Sequence, residues 1–164
     1  MSNSDRTIST NQDVVAFLTE QHEAIKRLFV ETLDASDAAT QQKSFDALRT
    51  MLAVHETAEE MMVHPRVRRK VSGGDEIVDA RLAEEHESKV ALAEIEKLEC
   101  GTAEFSKALI HLQAAVLQHA EKEETEEFPP RLEEQLDAAE LKKLTEAVVF
   151  AERIAPTHPH PASS

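Results

Sequence analysis

His55 is followed four residues later by Glu59, and His119 four residues later by Glu123. On a helix that spacing leaves about 40° between side chains, so an imidazole and a carboxylate can be aimed at one point. Two further histidines, His22 and His86, precede these pairs by 33 residues each. Together they offer four nitrogen donors and two carboxylates, a set that suits two first-row transition ions bridged by Glu59 and Glu123. Six ligands on each ion would make about twelve positions, of which four imidazoles and two bridging carboxylates fill about eight. Glu56 is the best further candidate, because it adjoins His55 while its counterpart beside His119 is Ala120. An extra carboxylate on one ion would leave the other more open. The readings of Glu56 as a ligand, as a residue behind the ligands and as a solvated side chain all stay open. No catalytic residue separate from the metal ligands is read.

These residues belong to a repeat. LTEQHE, residues 18–23, matches LAEEHE, residues 82–87, and HETAEEMMVHP, residues 55–65, matches HAEKEETEEFP, residues 119–129, at a common offset of 64. The repeat equates His22 with His86 and His55 with His119. Helical periodicity runs through nearly the whole chain. It predicts helices over about 12–35, 38–64, 75–100, 102–128 and 138–153. Pro65 ends or kinks the second helix, and Pro129-Pro130 stop the fourth. Residues 65–74 form a basic connection closed by a glycine pair, and Asp137 with Glu140 has the spacing of a capping box. Inward positions on the third helix are Ile77, Leu82, Val90, Leu92, Ile95 and Leu98. The expected architecture is all-α, an up-down-up-down four-helix bundle with a short additional C-terminal helix. Residues 1–11 and 155–164 read as flexible tails around a domain at 12–154. In antiparallel neighbours, a residue about ten from the start of one helix meets one about ten from the end of the next. All four histidines therefore reach one height in the bundle.

The succession His22, His55-x-x-x-Glu59, His86, His119-x-x-x-Glu123 resembles the signature of the hemerythrin-like, or HHE cation-binding, family, over roughly residues 12–130. The resemblance implies a non-haem diiron centre, oxo- or hydroxo-bridged, with His22, His55, His86 and His119 as terminal ligands. Family members carry or sense O2, and some bacterial ones decompose hydrogen peroxide or handle nitric oxide. Oxygen carriers have a histidine where this chain has Val90 and an aspartate at the position of Glu124. Fewer histidines and more carboxylate stabilise the higher metal charge, which shifts the expectation from reversible O2 carriage toward redox turnover. The expected function is reaction with a small oxidant, H2O2 first, O2 or NO next. The alternative is an O2, redox or iron sensor or an iron-binding module without turnover, and a metal-free acidic scaffold is the third reading. Iron is not separable from manganese or zinc by residue type alone.

Composition narrows the rest. The 164 residues carry 18 Lys plus Arg against 32 Asp plus Glu, a net charge of −14. That balance points away from nucleic acid and from anionic membrane surfaces. One cysteine forms no internal disulfide, which fits a cytoplasmic setting. No secretory h-region or membrane span is read. A protein partner is left unknown, and the state expected is a monomer or weak dimer. With no tyrosine in the chain, neither a tyrosyl radical nor tyrosinate ligation enters the chemistry. Glu60 and Glu124 are expected to be solvated, and His64 structural or exposed.

Overall fold

The computed structural model describes residues 14–132 and 136–154. The predicted tails, and the first residues of the first predicted helix, lie outside them. Helix α1 (Val14–Asp34) and α2 (Ala38–Ala58) form one pair, α4 (Gly74–Ile95) and α5 (Ala103–Lys122) the other, and α6 (Ala138–Ile154) packs on the first pair. Local chemistry sets the starts. Asp37 accepts from the Thr40 backbone N–H at 2.8 Å and Thr102 from that of Phe105 at 3.2 Å. The capping box before α6 forms in both directions, between Asp137 and Glu140.

Two wide π-helical segments interrupt the long helices, π1 (Glu59–Val63) after α2 and π2 (Glu123–Leu132) after α5. Each begins on the glutamate of a His-x-x-x-Glu pair. Such segments concentrate at functional sites, because the added residue re-aims the side chains around it. They also correct the predicted stops. Past π1 the chain continues directly into α3 (His64–Lys70), with Pro65 in the first turn, where its missing N–H costs nothing. Past α5, the helical path runs through Pro129 and Pro130 to Leu132. The basic stretch expected to be a connection is thus mostly helix. It turns into α4 at Gly73, whose φ is 72°, and Gly74, where a Cβ would lie 2.1 Å from the Val67 carbonyl oxygen.

The apolar core comes in two parts. One gathers Leu18, Ala58, Val63, Val78, Leu144 and Val148 around the start of α1, π1 and α6. The other gathers Ile25, Phe29, Leu52, Leu92, Leu112 and Val116 toward the opposite end. Between them on α1, α2 and α4, and just past Val116 on α5, lies a layer of buried polar side chains.

Candidate metal centre

The inward face of α1 carries Val15, Leu18, His22, Ile25, Phe29 and Thr32; that of α4 carries Val78, Arg81, Glu85, Ser88, Leu92 and Ile95. Member by member these differ by 63, not 64. The second helices keep 64: Phe45, Leu48, Leu52, His55 and Glu59 correspond to Leu109, Leu112, Val116, His119 and Glu123. The α4–α5 connection is therefore one residue longer than the α1–α2 connection, and α4 is turned by about 100° from the phase that the ungapped repeat implied. Glu85, not His86, faces His22 across the pseudo-twofold relation. Glu85 is 2% exposed, whereas His86 lies on the exposed side of α4 and joins no such cluster among the described residues. Val90, expected inward, is exposed for the same reason.

The remaining expected ligands converge. His22, His55, Glu59 and Glu123 bring one donor atom each within 4.8 Å of one another, and Glu59, Glu85, His119 and Glu123 do the same. Glu59 and Glu123 are common to both groups and are both 0% exposed. The imidazole Nε2 atoms all face this centre. That of His22 lies 3.1 Å from His55 Nε2 and 3.1 Å from Glu123 Oε1, and that of His55 lies 3.3 Å from Glu59 Oε1. His119 Nε2 is 3.4 Å from both Glu85 and Glu123. Glu56 is buried against the same space, but belongs to neither group.

Each ring is oriented from behind, a common feature of metal-binding histidines. Nδ1 of His22 donates to Glu124 Oε2 at 2.6 Å, Nδ1 of His55 to Gln21 Oε1 at 2.7 Å, and Nδ1 of His119 to Glu84 Oε1 at 2.8 Å. Gln21 and Glu84 are again 63 apart, so the supports follow the same pseudo-symmetry as the centre. Glu84 is itself gripped by Arg81 and Lys122. His64 ties the centre to one more buried carboxylate, donating from Nδ1 to Glu127 at 3.0 Å and from Nε2 to Glu85 at 2.9 Å. Glu124, at 29% side-chain exposure, thus holds a ring although it was expected to be solvated, and His64, at 3%, takes the structural rather than the exposed of its two expected places.

Electrostatics separate the groups. Burial and then the Glu123 charge push Glu59 well above the usual carboxylate range. Burial acts the same way on Glu123, but His119 and His22 outweigh it and hold Glu123 well below that range. His55 is driven down to about 3 by burial and by His22. Burial opposes the charging of His119 and His64, yet the surrounding carboxylates carry them to about 12 and about 10.

Whether a cation fits can be judged from the atoms left over. Both oxygens of Glu59, Glu85 Oε1, Glu123 Oε2 and His119 Nε2 are buried without a hydrogen-bond partner among the described residues. Unsatisfied buried carboxylate oxygens each cost about 1–3 kcal/mol or more. Their convergence on one volume faced by three Nε2 atoms is what divalent or trivalent ions would resolve. The oxygen-and-imidazole donor set matches first-row transition metals.

The geometry agrees with what the chain is similar to. The model of the hemerythrin HHE cation binding domain matches residues 13–130. A crystal structure of a hemerythrin HHE cation binding domain-containing protein from Mycobacterium kansasii superposes with a TM-score of 0.76 at 20% identity, covering 87% of this chain and 86% of that one. A protein from Nostoc sp. described as a DNA nickase is 30% identical over 127 residues; the match takes in 76% of this chain, but this chain spans only 34% of that protein's length. With the family model covering most of its length and the His/Glu cluster in place, this chain belongs to the hemerythrin HHE cation-binding family.

Proposed function

We propose that the centre holds two iron ions and that the protein disproportionates hydrogen peroxide. The single observation that carries the reading is the pair of four-residue groups sharing Glu59 and Glu123. One ion would take His22 and His55, the other Glu85 and His119, with Glu59 and Glu123 common to both. A redox-active ion pair, when bound, supplies and recovers the two electrons that peroxide exchanges. The overall reaction needs no outside reductant, because peroxide is both oxidised and reduced.

The chain's own residues would shape the rest. A cavity of ≈ 20 Å³ adjoins His22, His55, His119 and Glu123, room for about one water-sized molecule. Ile25, Leu52, Val116 and Leu117 complete its lining, an apolar wall that favours a small uncharged ligand over a bulky or charged one. Glu56 faces the same cavity with Oε2 unpartnered, and burial together with Glu85 keeps its carboxyl well above the usual range. A neutral Glu56 would hold a proton at Oε2, within the cavity, for a peroxide oxygen that becomes water. This supports Glu56 as a proton donor beside the ligands rather than as one of them.

The test is O2 evolution from peroxide by the iron-loaded protein. Multiple turnovers, lost together with bound iron in Glu59→Ala, support the proposal. Stoichiometric binding without turnover would overturn the catalytic part in favour of sensing or iron binding. The activity named for the Nostoc protein is not carried over, since this chain covers about a third of that protein and has a net charge of −14.

A further inference from the structure

One of the three supports behind the histidines differs from the other two. His22 and His119 are each held by a carboxylate, which accepts from Nδ1–H without ambiguity. His55 is held by an amide. Gln21 could present either its oxygen or its NH2 to the ring, and the two choices impose opposite tautomers. What lies at the other end of the amide decides. Gln21 Nε2 donates to Glu152 Oε1 at 2.8 Å, across 131 residues. Above about pH 7, where Glu152 is ionised, it only accepts, so it must take the NH2, and the amide oxygen must then face His55. The imidazole carries its proton on Nδ1, which leaves the Nε2 lone pair directed at the centre, 3.3 Å from Glu59 Oε1.

Glu152 sits on α6, beyond the segment 13–130 that the family model matches. Helix α6 packs on α1, α2 and π1, so it covers the half of the centre that contains His55. The corresponding position in the other half is Glu84, a carboxylate that needs no relay. In the first half the same task is split between a neutral amide on α1 and a carboxylate on α6.

We propose that Glu152 is a positioning residue that fixes the tautomer of His55 through Gln21, which makes the C-terminal helix part of the metal centre. Its consequence for metal binding rests on the metal reading above, but the tautomer belongs to the chain itself and is read without any ion.

Long-range proton–nitrogen correlation NMR on the 15N-labelled protein reports which ring nitrogen of His55 is protonated. At pH 8 the wild type should show the His55 proton on Nδ1. Glu152→Leu should populate the Nε2–H form, while Glu152→Asp, which keeps a group that only accepts, should keep Nδ1–H. Titration with Zn(II) should show about tenfold or greater weakening of binding in Glu152→Leu, restored in Glu152→Asp. In a Gln21→Leu background, adding Glu152→Leu should change nothing further. An unchanged tautomer in Glu152→Leu, equal effects of Leu and Asp, or additive effects of the two leucine substitutions would each overturn the proposal. Should Glu152→Leu not fold, Nε2–H in the wild type overturns it alone, and Nδ1–H with retention in Glu152→Asp supports it. Absence of metal binding in every variant would remove the metal reading and leave the tautomer result standing.

Discussion

The one-residue phase difference between α1 and α4 makes a prediction that opposes the plain repeat: replacing Glu85 should cost the protein a metal ion, and replacing His86 should not. Glu85→Gln keeps the side-chain volume and an oxygen that can still accept from His64 Nε2, now 2.9 Å away. It removes the negative charge and turns one donor of the Glu59, Glu85, His119 and Glu123 group into a weakly ligating amide. Losing an orienting partner behind a ligand already costs about 10–100-fold in affinity. Losing the ligand's charge should cost at least about 100-fold at that ion, or about 2.8 kcal/mol at ~1.4 kcal/mol per decade. The ion at His22 and His55 should stay. His86 is exposed, so His86→Ala should fall within about 0.5 kcal/mol, a factor of roughly two to three. Elemental analysis after dialysis should give two ions per chain for His86→Ala and one for Glu85→Gln. Loss of an ion in His86→Ala with both kept in Glu85→Gln would refute the phase assignment, and with it the inward face of α4.

Three other perturbations probe separate parts. His64→Leu strands the buried Glu85 and Glu127, so urea unfolding of the metal-free chain should show about 3–5 kcal/mol of destabilisation. Because Glu152 is raised to about 7 by burial, its folded state favours the neutral acid, and its penalty grows as pH rises from about 4.5 to 7. Glu152→Gln should therefore raise the thermal midpoint at pH 8 and make no difference near pH 4; a stabilisation largest at low pH would contradict the assigned sign. Ala120 lines the ≈ 20 Å³ cavity, and Ala120→Leu should fill it. Peroxide turnover should then fall by more than tenfold with both ions retained, and unchanged turnover would mean that substrate reaches the centre elsewhere.

The parts of the centre that the sequence revealed are those in which chemistry and helical period act together within a few residues. His55 with Glu59 and His119 with Glu123 share a face wherever the helix points, so their pairing survives any error in packing. His22 was placed by the repeat and sits between Leu18 and Ile25 on a plain apolar stripe. His86 failed because the repeat compared identities, while burial follows phase. Val78 and Leu92 lie seven residues either side of Glu85, a heptad signal that passes through the glutamate and misses the histidine. Val90 pulled the reading toward the wrong face. The π segments gave no sequence signal of their own, because an inserted residue in a helix is stabilised by tertiary packing rather than propensity. Pro65 accordingly read as a stop or a kink, and Pro129-Pro130 as a stop. Gln21, Glu84 and Glu124 support rings on other helices and Glu152 holds Gln21, and those contacts depend on side-chain reach across the bundle, which no spacing along one helix encodes.

Anomalous diffraction at the iron edge from iron-loaded crystals bears most directly on the central claim. Two iron peaks per chain are predicted, both in contact with Glu59 and Glu123, one completed by His22 and His55 and the other by Glu85 and His119. A single peak, none, or an ion ligated through His86 would contradict the account.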